Sequence, residues 1–441
     1  MSSSLARTLI TSMIGNLFEW YDFALFGYLA PYIGKLFFPS SDPMSETILA
    51  LGVFATGFIV RPLGGLLFGY IGDRCGRKKA MLATILLMAL PMALIGMLPT
   101  YATLGITASV LLIIMRMLQG ISMGGNYGGS ITFTTEHFVR QHQGLVGSFT
   151  AISCLTGIML GSATAALLSF VFKEEELLRW GWRVPFLLGI TICGVGFYMR
   201  RQVTESPVYL KEVASGQISQ RPPAAEVFLN HGKTLWTLVF VVMLHDLSFY
   251  VLLLYMITHL IQIIGMDEQA AFTINTTNLF TASVATCFAG WLSDKVGRKP
   301  VLIGAALMFL VGTFPLMHLM FSSQNVGLVF FAQFILAITV GCYFGPLPAL
   351  MVESFPTKVR YSAIAITTNI SGPLFGGTAP MLVAYLVTKT GSKMIPAYYL
   401  MLGSVFSLLA LRSLKLYTSP TPTSSSTPVF DSYSIDNKSL S

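Results

Sequence analysis

Gly69-Tyr70-Ile71-Gly72-Asp73-Arg74-Cys75-Gly76-Arg77-Lys78 is echoed later in the chain by Gly290-Trp291-Leu292-Ser293-Asp294-Lys295-Val296-Gly297-Arg298-Lys299. Both stretches fit the pattern GxxxD[RK]xGRK, and the second lies 221 residues after the first. A further echo has nearly the same offset: Glu136-His137-Phe138 returns as Glu353-Ser354-Phe355, 217 residues on. Positive charge near a membrane explains Arg and Lys in such loops. It does not explain an Asp at a helix end with glycines at fixed distances, twice. The repeat implies two related halves, and parallel halves about an axis along the membrane normal are one way to build a large helical membrane protein.

Composition agrees with that reading. The chain has 441 residues, of which 54% are hydrophobic and 10% charged. Soluble domains carry about 25% charge, so neither an ordinary soluble enzyme nor a disordered protein fits. The net charge of +8 sits in loops between apolar runs and forms no basic face, so nucleic acid is not a partner. The five cysteines (Cys75, Cys154, Cys193, Cys287 and Cys342) have no disulfide or metal-site spacing, and no cofactor motif is present.

A bilayer core of about 30 Å needs roughly 20 apolar residues per helix. Twelve runs meet this, near 9–34, 48–72, 80–98, 104–134, 145–170, 181–199, 234–264, 270–292, 300–320, 326–352, 361–388 and 395–414. The first is too long for a signal peptide and contains Glu19 and Asp22. With the N-terminus in the cytoplasm, nineteen Lys and Arg fall on the cytoplasmic side and six on the other. That asymmetry places both termini in the cytoplasm. The expected fold is an all-α membrane protein of twelve transmembrane helices in two pseudo-symmetric six-helix halves. These span 1–199 and 234–416, with a cytoplasmic linker at 200–233 and a tail at 417–441. The tail is rich in Ser, Thr and Pro and buries too little apolar surface to fold alone.

The repeated loops read as a latch. The candidate closing set is Gly69, Asp73, Arg74, Gly76, Arg77 and Lys78, with Gly290, Asp294, Gly297, Arg298 and Lys299, joined by Glu136, Glu353 and Arg360. Glycine lets helices approach, and an acid with basic neighbours forms ion pairs and caps helix ends.

Charges inside a bilayer cost about 2.5–3.5 kcal/mol each, so they usually face a polar cavity. Glu19 and Asp22 lie three residues apart on one helix face, with Asn16 a turn below. Neighbouring carboxylates disfavour double ionisation, which suits a proton carrier. Asp246 is a further proton-coupling candidate. Arg116 and Arg61 are the candidate solute-binding cations, with Asn126, Tyr127 and Tyr250 as polar and aromatic neighbours. For Arg61 a packing role beside Pro62 and Gly64-Gly65 stays open. His245, His259 and His318 read as helix contacts, and the GxxxG spacings at Gly65–Gly69, Gly120–Gly124, Gly125–Gly129 and Gly157–Gly161 as packing surfaces.

These stretches together resemble the major facilitator superfamily, and within it the metabolite:proton symporters. The resemblance is carried by Glu19-Trp20-Tyr21-Asp22-Phe23, Arg61-Pro62-Leu63-Gly64-Gly65, Gly124-Gly125-Asn126-Tyr127-Gly128-Gly129, Gly181-Trp182-Arg183-Val184-Pro185-Phe186 and Asn369-Ile370, besides the repeated loops. It implies a monomeric, multi-pass protein of the bacterial inner membrane that imports a small polar metabolite with a proton by alternating access, with no enzymatic reaction. Its partners are then the solute, protons and the bilayer. Arginines with acids lean towards a zwitterion such as proline or a betaine. A mono- or dicarboxylate, or a non-transporting sensor on the same fold, are the alternatives. Relatives usually have Glu where this chain has Asn126, and osmosensing relatives carry a C-terminal coiled coil of which this tail has no heptads.

Overall fold

The computed structural model describes residues 3–40, 43–138, 140–216, 221–323 and 325–417. Apart from Tyr417, the expected disordered tail lies outside the described residues. The first part of the chain forms α1 (Ser3–Phe37), α2 (Pro43–Arg74), α3 (Arg77–Met97), α4 (Ile106–Glu136), α5 (Gln143–Val171) and α6 (Arg183–Gln202). A short helix, α7 (Pro207–Ala214), follows. The later part forms α8 (Pro223–Ser248), α9 (Glu268–Val296), α10 (Arg298–Ser322), α11 (Val326–Phe344), α12 (Leu347–Glu353), α13 (Arg360–Ser371), α14 (Ala379–Thr390) and α15 (Ile395–Ser413).

Among the described residues, nine helical stretches are long and apolar enough to cross a membrane, and a tenth is gained if the bent pair Glu174–Gly181 and Arg183–Tyr198 counts as one. Two long helices, α1 and α9, are not in that set. They bury polar side chains instead: Asn16, Glu19 and Asp22 in α1, Asn275 and Asn278 in α9.

The segment 200–233, expected to link the two halves, is largely helical. Residues Pro207–Ala214 are helical, and α8 starts at Pro223, eleven residues before the apolar run. Proline suits the first helical turn, where its missing N–H is not needed. Glu226 in that turn pairs with Lys358 at 2.5 Å. A second feature escaped the sequence altogether. Widened π-helical turns interrupt the helices at Phe249–Tyr255, Leu260–Ile264 and Gly372–Gly377. The first and last face each other: a Cβ on Gly376 would lie 2.6 Å from the Tyr250 ring and 3.2 Å from Asp246 Cβ.

The duplication is visible in the packing. Gly124 of α4 abuts the backbone of Arg61 and Gly65 in α2, where a Cβ would collide. Gly341 of α11 sits likewise on Ala282 and Thr286 of α9, with a Cβ at 2.6–2.8 Å from their backbone. The glycines differ by 217 positions and their partners by 221, as in the loop motifs. Gly120 against Gly57, and Gly157 and Gly161 against α1, are close contacts between neighbouring helices of the first half of the chain. Gly65 and Gly69 instead face Asn369 and Ser362 of α13, so these two glycines admit a helix from the other half of the chain.

Candidate solute cavity and closing contacts

The repeated loops turn at Gly76 (φ +114°) and Gly297 (φ +97°), in a left-handed region that a side chain resists. Arg77 and Arg298 then open the next helices. Asp73 points across the bundle. Its two oxygens accept the backbone N–H groups of Tyr361 (3.2 Å) and Ser362 (2.9 Å), in the first turn of α13. Asp294 does the same for α5, accepting from Gly144 and Leu145, both at 2.8 Å. Each acid thus caps a helix start belonging to the other half of the chain, where free N–H groups and the helix dipole favour a negative charge.

The arginines complete each closure. Arg77 is fully buried and donates to Asp73 (3.0 Å), Glu136 (3.3 Å), the Gly72 carbonyl (2.6 Å) and the Thr357 carbonyl (2.7 Å). Arg298 donates to Asp294 (2.6 Å), Glu353 (3.2 Å) and Ser293 (3.1 Å). Glu136 also accepts from Arg360 at 2.8 Å, so it ties α3, α4 and α13 together. Lys78 Nζ donates to the Arg201 carbonyl, and Lys299 Nζ to the Leu414 carbonyl, each at the end of a following helix. Arg74 donates to the Arg221 carbonyl at 2.9 Å.

Residues just before and within α7 join this end, which sequence reasoning did not foresee. Glu205 accepts the Lys78 N–H, Ser206 donates to Glu136 at 2.5 Å, and the Tyr209 ring lies 4.8 Å from the Arg77 guanidinium. Their signal was weak, because three polar residues in a polar loop carry no periodicity.

Within the first half of the chain the buried charges separate into two sets. Arg116 donates to Asp22 at 2.5 Å and to Gln119 at 2.7 Å, and stacks 3.6 Å from the centre of the Phe26 ring. Glu19 accepts from Asn126 Nδ2 at 2.7 Å, and the same amide nitrogen reaches Asn16 at 3.2 Å. Glu19 and Asp22 share a helix face, and each has its own hydrogen-bond partner. The Arg116 set is not saturated: Arg116 Nε and Nη2, Asp22 Oδ1 and Gln119 Nε2 find no hydrogen-bond partner among the described residues.

Between the two halves of the chain lies a cavity of about 40 Å³, lined by Trp20, Arg61, Tyr127, Cys154, His245, Asp246, Phe249, Tyr250, Phe344 and Thr368 among others. Arg61 and Asp246 bring opposite charge to it. Arg61 is held at Nε by Asn369 Oδ1 (3.3 Å). Asp246 accepts from Ser371 at 2.5 Å and faces His245 Nδ1 at 3.1 Å. Trp20 and Phe249 meet edge to face at 5.3 Å, and Phe249 meets Tyr250 at 5.1 Å. Arg116, Glu19 and Asp22 do not line this cavity, whereas Arg61 does. A volume of about 40 Å³ admits a few waters at one probe sphere of about 10–15 Å³ each, so this state is closed round its centre. Wider clefts of about 330 and 440 Å³ share Phe23 and Leu254, and the larger reaches Tyr250 from the end remote from the loops. Of the other histidines, His259 is buried beside Tyr255 and Phe321, and His318 is exposed.

A bundle of membrane-length helices, closed at one end by reciprocal caps around a small charged cavity, defines a multi-pass membrane carrier. The chain belongs to the major facilitator superfamily. Residues 8–227 match the family described as Sugar (and other) transporter, and residues 238–435 match the Major Facilitator Superfamily. The chain is 34% identical over 432 residues to the proline/betaine transporter of Salmonella typhimurium, covering 96% of this chain and 86% of that one. It is 34% identical to the glycine betaine/proline/ectoine/pipecolic acid transporter OusA of Dickeya dadantii, covering 92% and 82%. Its fold matches the proton:xylose symporter XylE bound to 6-bromo-6-deoxy-D-glucose, with a TM-score of 0.75 and 18% identity over 94% of this chain and 97% of the other. The inward open conformation of XylE from E. coli matches with a TM-score of 0.63 at 19% identity, covering 91% and 95%. The relatives are transporters, and this chain is a secondary transporter of the same superfamily, not an enzyme.

Proposed function

We propose that this protein imports a small zwitterion, such as proline or a betaine, together with a proton. The observation that carries the reading is the cavity that Arg61 and Asp246 line together with Trp20, Tyr127, Phe249 and Tyr250. A carboxylate suits Arg61. A cationic amine suits Asp246 and the faces of the aromatic rings. The solutes in the relatives' names, proline and betaines, are of this kind. A dicarboxylate suits the cavity less, because Asp246 would repel its second charge.

In this reading the protein has twelve spans in two halves, 1–199 and 234–416, joined by 200–233. It acts as a monomer in the bacterial inner membrane, with both termini and the repeated loops in the cytoplasm. The caps at Asp73 and Asp294 then close the cytoplasmic side, and alternating access requires them to part. The proton acts at span one. A proton on Asp22 would cancel its ion pair with Arg116, and the unsatisfied atoms around that pair support a role beyond static bracing.

The test is uptake of labelled proline, glycine betaine and a dicarboxylate into proteoliposomes, with and without an imposed pH gradient. Accumulation of the zwitterions alone, and only with the gradient, is the expected result. Preference for the dicarboxylate, or indifference to the gradient, would defeat the reading.

A further inference from the structure

Asn369 belongs to α13, yet its side chain sits among helices of the first half of the chain. Its Nδ2 donates to the Gly124 carbonyl of α4 at 2.6 Å and to Ala365 of its own helix at 2.7 Å. Its Oδ1 accepts from Arg61 Nε of α2 at 3.3 Å. It is 2% exposed, and Gly65 leaves the space it occupies: a Cβ there would lie 2.7 Å from Asn369 Nδ2. One amide therefore joins three helices and holds the cation of the central cavity.

The duplication gives this link no twin. At the offsets of the repeat, Arg61 corresponds to Ala282 and Asn369 to Ile152, which carry no polar side chain. A link confined to one of two otherwise repeated interfaces is not a requirement of the packing.

The helices that Asn369 joins are those that the closing contacts hold. Asp73 of α2 caps α13, and Glu136 of α4 pairs with Arg360 of α13. Parting α13 from α2 and α4 breaks these contacts, and it also withdraws Asn369 from Arg61 and Gly124. We propose that Asn369 is a positioning residue that fixes Arg61 for a solute carboxylate only while the loop end is closed. Nε is then committed to Asn369, and the two Nη groups remain as the donors available to the solute. By linkage, a solute that prefers the fixed arginine favours the closed loop end by the same factor. Arrival of solute from the remote end thus holds the loop end shut until the central site is filled and rearranges.

The solute half of this inference rests on the zwitterion reading, and the conformational half does not. Two measurements separate them. In proteoliposomes, Asn369→Ala is expected to raise KM for glycine betaine at least about fivefold with a smaller change in kcat. Arg61→Lys, which lacks Nε, is expected to do the same, and the double variant to be no worse than Arg61→Lys alone. Independently, Cys154 is kept as the sole cysteine, and its labelling by a maleimide from the loop side is timed without solute. Asn369→Ala and Arg61→Lys should each speed labelling severalfold, again without adding. If Asn369→Ala does not reach the membrane, Asn369→Ser replaces it in both measurements. Additive losses in KM, or labelling as slow as in the unaltered protein, would overturn the proposal. If the unaltered protein takes up no zwitterion, the function reading fails and the labelling result alone decides the role of Asn369.

Discussion

Arg360 donates to Glu136 at 2.8 Å across the bundle, and the residue that repeats Arg360 beside Glu353 is the uncharged Gln143. Gln143 donates to the Thr135 and Phe138 carbonyls and leaves Glu353 to Arg298. The two closures share their caps and differ in this ion pair.

Asp73→Asn should therefore impair transport more than Asp294→Asn. An amide keeps one acceptor oxygen for the helix start but loses the charge that faces Arg77 or Arg298. A charge-assisted hydrogen bond is worth about 1.5–3 kcal/mol. The cap beside the Arg77–Glu136–Arg360 cluster has more to lose, so a roughly tenfold drop in uptake rate is expected for Asp73→Asn, with normal amounts of folded protein in the membrane. Equal rates in both variants would remove the asymmetry.

Gln143→Arg tests the same point by addition. It would place a guanidinium where Arg360 has its counterpart, within reach of Glu353. Closure at the loop end should strengthen, so the melting temperature should rise while turnover falls severalfold. Faster turnover would show that closing contacts do not limit the cycle.

The loops, the all-helical membrane fold and the duplication were legible because each has a periodicity or a fixed offset. Asp73 and Asp294 could be marked as caps, since an acid beside glycines at a helix end has few other uses. Their targets were not legible: Tyr361 and Gly144 serve through backbone N–H groups, which any residue supplies. The buried charges were legible individually, because an acid or arginine in an apolar run stands out. Which of them meet was not. Arg61 beside Pro62 looked fit for packing and Arg116 for solute; Arg61 lines the cavity, whereas Arg116 pairs with Asp22 and does not line it. Helix rotation decides that, and one sequence carries no record of it. Trp20 and Phe249 were hidden for the opposite reason: among 32 phenylalanines and 5 tryptophans, nothing singles out the pair that meets at the cavity.

Asn126→Glu is expected to create a pH dependence at neutral pH. The amide of Asn126 donates to Glu19 at 2.7 Å. A carboxylate there cannot donate unless protonated, and two facing carboxylates raise the affinity of the pair for one proton. The protonated pair restores the hydrogen bond, so activity should be retained at acid pH and lost as pH rises. Uptake measured from pH 5 to 8 at constant gradient checks this. An unchanged profile would mean that position 126 only fills space.

The coupling proposal turns on Asp22 and Arg116. Asp22→Asn mimics the protonated acid permanently, so a proton gradient has nothing left to act on at that pair. Uphill accumulation should be abolished, while exchange of pre-loaded solute survives, because exchange does not require release of the proton. The variant also leaves Arg116 buried without its counter-charge, a change that costs about 3–5 kcal/mol when one partner of a buried pair is removed. Poor folding could then be mistaken for loss of coupling. The double variant Asp22→Asn with Arg116→Gln removes that cost, and it should recover membrane levels and exchange but not accumulation. Glu19→Gln is the companion test. Glu19 accepts from the neutral Asn126 amide, so a Gln fits there with less disturbance and should keep accumulation if Asp22 is the coupling acid. Accumulation in the double variant would dismiss Asp22, and its loss in Glu19→Gln would move the proton to Glu19. If both variants still accumulate solute, the proton site lies in the other half of the chain, where Asp246 faces His245 and Ser371 in the central cavity.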